Sequence, residues 1–124
     1  MEYRIDYKEA IERISKLDVY PVIIPEGAKY PCIEMQISGG RRDDDSSLNG
    51  TSISNHRISL IVCASTLAQC YEVEKLLKTG LHNKTLNTDN TKTLVIYFDN
   101  SVESYNHAQS LFELTIDFLP KLIN

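Results

Sequence analysis

Three groups of residues in this chain carry side chains capable of chemistry. Arg41, Arg42, Asp43, Asp44 and Asp45 stand in one run, the histidines are His56, His82 and His107, and the cysteines are Cys32, Cys63 and Cys70. Clustered carboxylates suggest a hard cation, and a calcium loop takes oxygen ligands at alternating positions with glycine sixth and glutamate twelfth. Counted from Asp43 the sixth residue is Leu48; counted from Asp45 it is Gly50, but the twelfth is then His56. Neither register works, so the run reads as a solvated or interface loop rather than an ion site. Arg41 and Arg42 either pair locally with the acids or meet charges on another chain. Exposed pairs of this kind contribute only about 0–1 kcal/mol to folding, so their value in an interface lies in partner choice and register.

Hydrolytic catalysis needs a nucleophile, a base and an orienting group gathered in one pocket. The three histidines lie in polar, turn-like surroundings and read as surface residues. No serine sits in a GxSxG elbow, and Gly39-Gly40-Arg41-Arg42 lacks the layout of a phosphate-cradling P-loop. The expectation is therefore a chain that is not an enzyme and that holds no metal or cofactor; an enzyme built on His56 and the aspartate run is the weaker reading. An odd number of cysteines without a CxxC pair argues against both a disulfide framework and a zinc knuckle. They read as structural thiols, with Cys63 and Cys70 on different elements.

These residues must be held by elements that the hydrophobic pattern outlines. Ala10, Ile11, Ile14 and Leu17 share a helical face, which predicts a helix over about 6–17 with Asp6 and Glu9 forming a capping box. Pro21, Pro25 and Pro31 then break the chain into short extended pieces, with a turn at Gly27 and strands over 20–24 and 32–38. A charged, Gly- and Ser-rich run follows and predicts an exposed, flexible loop at about 39–52. Ile58, Leu60, Val62 and Ala64 alternate with Arg57, Ser59, Ile61 and Cys63 as a strand does. Thr66 is placed to cap a helix over about 67–79, with Gly80 ending it. A polar loop over 81–93, a strand over 94–98, a turn at Asp99-Asn100-Ser101 and a strand over 110–118 stopped by Pro120 complete the reading. The order favours an α+β fold: a mainly antiparallel sheet of about four strands with two helices packed on one face.

The 124 residues carry 13 Lys+Arg against 17 Asp+Glu, a net charge of −4, and 42% are apolar. This suits one domain over 1–124 with a single core. It disfavours a broad basic face gripping phosphate backbones. The longest apolar run, 19–24, contains Pro21 and falls far short of the ~20 residues of a membrane span. The acidic start Met1-Glu2-Tyr3-Arg4-Ile5-Asp6 does not read as a secretory signal, and the expected site of synthesis and folding is the cytosol.

Several segments in order carry a resemblance. Tyr20-Pro21-Val22-Ile23, Pro25-Glu26-Gly27-Ala28, Tyr30-Pro31-Cys32-Ile33, Ser47-Leu48-Asn49-Gly50-Thr51, the strand from Arg57 to Ala64 and Thr66-Leu67-Ala68-Gln69 together resemble the tail-terminator (tail completion) proteins of long-tailed bacteriophages. The likeness in order and spacing runs from about residue 4 to 119. It implies a structural virion protein made in the host bacterial cytoplasm and located at the head-proximal end of the tail. There it forms a homo-hexameric ring that caps the tail tube, ends its polymerisation and offers a head-tail joining surface. The implied partners are the tail tube protein and a head-tail connector or stopper protein, with transient, non-specific passage of DNA through the ring. From another class, the competing expectation is a small-ligand or regulatory binding domain with the 39–52 loop as its lid.

Overall fold

The computed structural model describes residues 2–39, 56–87 and 93–123. Arg41, Arg42, Asp43, Asp44 and Asp45, and with them the loop expected at about 39–52 beyond Gly39, lie outside the described residues.

Helix α1 (Glu2–Ser15) turns Tyr7, Ala10 and Ile11 fully inward and half-buries Ile14, the i, i+3, i+4, i+7 stripe of an amphipathic helix. On its wetter side Lys8 pairs with Glu12 at 2.9 Å. The helix starts four residues before Asp6, so the capping box expected there does not form: Asp6 is inside the helix. At the other end Ser15 Oγ donates to the Ile11 carbonyl at 2.7 Å, and Lys16 takes a left-handed conformation, φ 61°, that ends the helix.

The strands are β1 (Val19–Pro21), β2 (Cys32–Gly39), β3 (His56–Ala64), β4 (Lys84–Asn87), β5 (Thr93–Asn106) and β6 (Leu111–Ile123), with helix α2 (Leu67–Leu81) between β3 and β4. They form one six-stranded sheet in the order β1-β2-β3-β6-β5-β4. The α+β class and the two helices agree with expectation. The sheet differs: it has six strands rather than about four, and it is mixed, because β1 joins β2 in parallel while every other pair is antiparallel.

The differences have local causes. β4 lies within the polar run read as a loop; its four residues are held by backbone pairing to β5, and so short a strand shows no periodicity. Asp99-Asn100-Ser101 is not a turn. It is a bulge between Phe98 and Asn100 that lets β5 continue, with Arg57 Nη1 2.6 Å from Asp99 Oδ2. Pro120 does not stop β6 either. The β3 ladder ends at the Ile58–Phe118 pair, two residues before it, while the alternation along β6 turns residue 120's missing N–H away from β5, so the β5 ladder continues through Ile96–Pro120 to Thr93–Ile123.

Thr66 does cap α2, accepting the Gln69 N–H at 3.2 Å. Gly80 does not end it: the helix runs through Gly80 to Leu81, and Asn83, φ 66°, takes the left-handed position. Gly80 is there for contact, since a Cβ at this point would lie 2.7 Å from Ile14 Cγ2. Both helices cover one face of the sheet. Ile33, Met35, Leu60, Val62, Leu114, Ile116 and Phe118 meet Tyr7, Ile11, Val73 and Leu77 in one core. Among the described residues, no helix is long and apolar enough to cross a membrane.

Candidate functional site

The sheet's other face is ordered by register into cross-strand rows. Cys32, Cys63, Glu113 and Ser104 form the first row, Glu34, Ile61, Thr115 and Val102 the second, and Gln36, Ser59, Asp117 and Asn100 the third. The third row is tied together by Ser59 Oγ donating to Asp117 Oδ1 at 2.7 Å, and Arg57 Nη1 reaches Asp117 Oδ2 at 3.4 Å from one row further. Arg57 is thereby held charged above its ordinary range, chiefly by its hydrogen bond to Asp99.

Over the first two rows lies the segment 22–30, and between them is a cleft of about 490 Å³. Backbone geometry at its mouth is unusual. Val22 has φ 72°, and Ile23 N–H returns to the Pro21 carbonyl at 2.8 Å, a three-residue γ-turn of the strained kind, while Val22 N–H makes a last bond to Met35 at 2.9 Å. A β-branched residue in this region costs of order 1–3 kcal/mol. The turn leaves Val22 58% and Ile23 72% exposed. Beyond it Gly27, φ 82°, supplies the expected turn, closed by Ala28 N–H to the Pro25 carbonyl at 3.3 Å.

The cleft has an apolar wall from Val22 to Pro25, and a polar floor and far wall of Glu34, Cys63, Glu113, Asn106 and Gln109, with Glu26 and Tyr30 on the near side. Gln36 donates to Glu34, and Asn106 Nδ2 donates to Glu113 at 3.3 Å. No lysine or arginine lines it. Burial first, and then the Glu113 and Glu34 carboxylates, push the Cys63 thiol up to about 12. Burial and Asp18 push Cys32 up to about 11, and burial with these neighbours raises Tyr30 as well. A thiol raised this far stays as S–H at neutral pH, the reverse of an activated nucleophile. All three cysteines are free and buried, Cys63 on β3 and Cys70 on α2, in keeping with structural thiols. Chemically, the cleft is suited to receive a polar or cationic group beside an apolar one.

Of the histidines, His82 and His107 are exposed as expected. His82 Nδ1 accepts the Phe98 N–H at 3.0 Å, and His107 stacks edge-on against Tyr105. His56 is a correction: it is the first residue of β3, 4% exposed, and its Nε2 is hydrogen-bonded to Tyr7 Oη at 2.9 Å. Its sequence neighbours are polar, but the strand carries it under α1. Among the described residues no group of three or more His, Cys, Asp or Glu is placed to hold a metal ion.

The cleft residues Glu34, Glu113, Asn106 and Gln109 carried no signal in the sequence beyond strand alternation. Only the β2-β3-β6-β5 register brings them together. Comparison of the chain with family models, with curated proteins and with solved structures finds no match.

Proposed function

We propose that this chain is a tail-terminator-like collar subunit, assembling as a homo-hexameric ring that caps a phage tail tube, stops its growth and offers a joining surface to the head. The observation that carries this reading is the ordered set of resembling segments from Tyr20-Pro21 to Thr66-Leu67-Ala68-Gln69. Apart from Ser47-Leu48-Asn49-Gly50-Thr51, which lies outside the described residues, they fall at the end of β1 and beyond it, at the start of β2, along β3 from Arg57 and at the α2 cap. A closed ring requires a head-to-tail contact between two different flanks of each subunit. In this reading the charged residues Arg41, Arg42, Asp43, Asp44 and Asp45 contact the neighbouring subunit, the tube protein or the connector. The net charge of −4 lets DNA pass without a strong hold.

Electron microscopy of the purified protein mixed with tail tubes tests the proposal. Sixfold rings at one end of length-arrested tubes are expected; tubes that keep growing uncapped refute it. Shortening the 41–45 run is expected to leave the fold intact and impair joining.

The cleft favours one alternative, a small-ligand or regulatory binding domain. The 39–52 loop, expected as its lid, leaves β2 at Gly39, about 24 Å along the strand from the Cys32–Cys63 row at the cleft floor. A melting temperature that rises with a small cationic ligand, with tubes unaffected, favours the alternative.

A further inference from the structure

The two ends of the sheet differ in whether another strand can join them. In β1 the bonds from Ile33 N–H to the Asp18 carbonyl and from Val22 N–H to the Met35 carbonyl point residues 18, 20 and 22 at β2, so Val19 and Pro21 face outward. The outward N–H of Val19 is taken by Glu12 Oε2 at 3.2 Å. Pro21 has no N–H, and its carbonyl is taken by Ile23 at 2.8 Å. This edge is closed by a carboxylate, a proline and a γ-turn, the devices that keep edges from pairing.

The opposite end is open. β4 covers β5 only from Thr93 to Ile96, whereas β5 continues to Asn106 with β6 along its other side. Ile96 and Phe98 point toward the edge, where Asn83 and His82 bond them. The bulge at Asp99 then shifts the alternation by one, so Ser101, Glu103 and Tyr105 turn their N–H and C=O groups outward. These groups have no backbone partner among the described residues. The stretch 100–106 holds neither proline nor lysine, and Val102 is 58% exposed beside the edge.

We propose that this β5 edge is where a second copy of the chain docks, by antiparallel strand addition about a two-fold axis at Val102. Backbone groups arrayed along an edge call for an extended strand, and self-complementarity selects a second copy. Pairing Glu103 with Glu103 would oppose like charges. Centring on Val102 instead sets Val102 against Val102 at a close, non-hydrogen-bonded pair and Ser101 against Glu103 at the flanking bonded pairs, giving about four new backbone bonds. A two-fold contact uses the same edge of both copies, so such pairing ends at two copies and does not grow into a fibre. The inference goes beyond the collar reading and does not depend on it, because a two-fold pair is a different contact from the head-to-tail contact of a ring.

Sedimentation equilibrium combined with amide hydrogen exchange, without tail tubes, tests it. Wild-type protein is expected to dimerise as concentration rises, with the Ser101 and Glu103 amides becoming protected in step. Val102→Lys sets two ammonium groups face to face and is expected to weaken the dimer at least about tenfold. Glu103→Pro removes an outward N–H while sparing the β6 ladder, and is expected to do likewise with an unchanged circular dichroism spectrum. A monomer at every concentration, an oligomer whose Ser101 and Glu103 amides exchange at the monomer rate, protection in a species larger than a dimer, or a dimer indifferent to both substitutions overturns the proposal. None of these outcomes bears on tube capping, which is read separately.

Discussion

Replacing Gly80 by alanine sets two known effects against each other. In an exposed helix interior the change stabilises by about 1 kcal/mol through helix propensity. At Gly80 the new Cβ would lie 2.7 Å from Ile14 Cγ2, 3.0 Å from Cδ1 and 3.1 Å from Cγ1, whereas carbon atoms in contact prefer about 3.5–4.0 Å. Cγ2 is bonded directly to Ile14 Cβ and cannot swing away alone, so α1 and α2 must part by several tenths of an ångström. Overpacking of this kind costs about 1–3 kcal/mol, which leaves Gly80→Ala net destabilising by about 1 kcal/mol. In an Ile14→Ala background these three nearest atoms are gone and the propensity dominates. The same substitution is then expected to stabilise by about 1 kcal/mol, a coupling of about 2 kcal/mol in the double-mutant cycle. Urea unfolding followed by circular dichroism measures all four proteins. If Gly80→Ala stabilises the wild type as much as it stabilises Ile14→Ala, the close helix approach is not what requires glycine.

Tyr7→Phe removes the buried bond to His56 Nε2 and is expected to cost about 1–2 kcal/mol in urea unfolding; a loss under about 0.3 kcal/mol means that this bond does not fasten α1 to β3. The cysteines make stability fall at high pH. Their folded values, about 11 for Cys32 and about 12 for Cys63, lie above the ordinary thiol range, so the unfolded chain releases these protons first. Their contribution is whole below about pH 9 and is lost as pH rises toward 11–12. A urea midpoint that falls between pH 9 and 11, together with thiols that resist a disulfide reagent at pH 8 until urea is added, is the expected pair of results. Rapid native-state labelling of Cys63 contradicts it.

The amino-acid sequence by itself determined what depends on neighbours three or four residues away. Ala10, Ile11 and Ile14 make a helix face wherever the helix docks, although Leu17, read onto the same face, falls beyond the helix end at Ser15. Thr66 caps α2 through its own Gln69, and the alternation from Arg57 to Ala64 makes a half-buried strand. The aspartate run failed the spacing of a calcium loop on sequence alone. The tertiary structure alone decided what depends on pairing across distance. Lys84 to Asn87 is a strand only because β5 lies beside it, and Asp99-Asn100-Ser101 is a bulge only because β6 holds both sides of it in line. Gly80 is a contact point only because Ile14 arrives there, and His56 lies buried against Tyr7, 49 positions away in the chain. The acidic cleft and the open β5 edge belong to the same class. Glu34 and Glu113 are 79 positions apart in the chain, and local propensity carries no information about which strand becomes whose neighbour. Register and strand order supply it, because a shift of one residue would send every side chain on that strand to the opposite face.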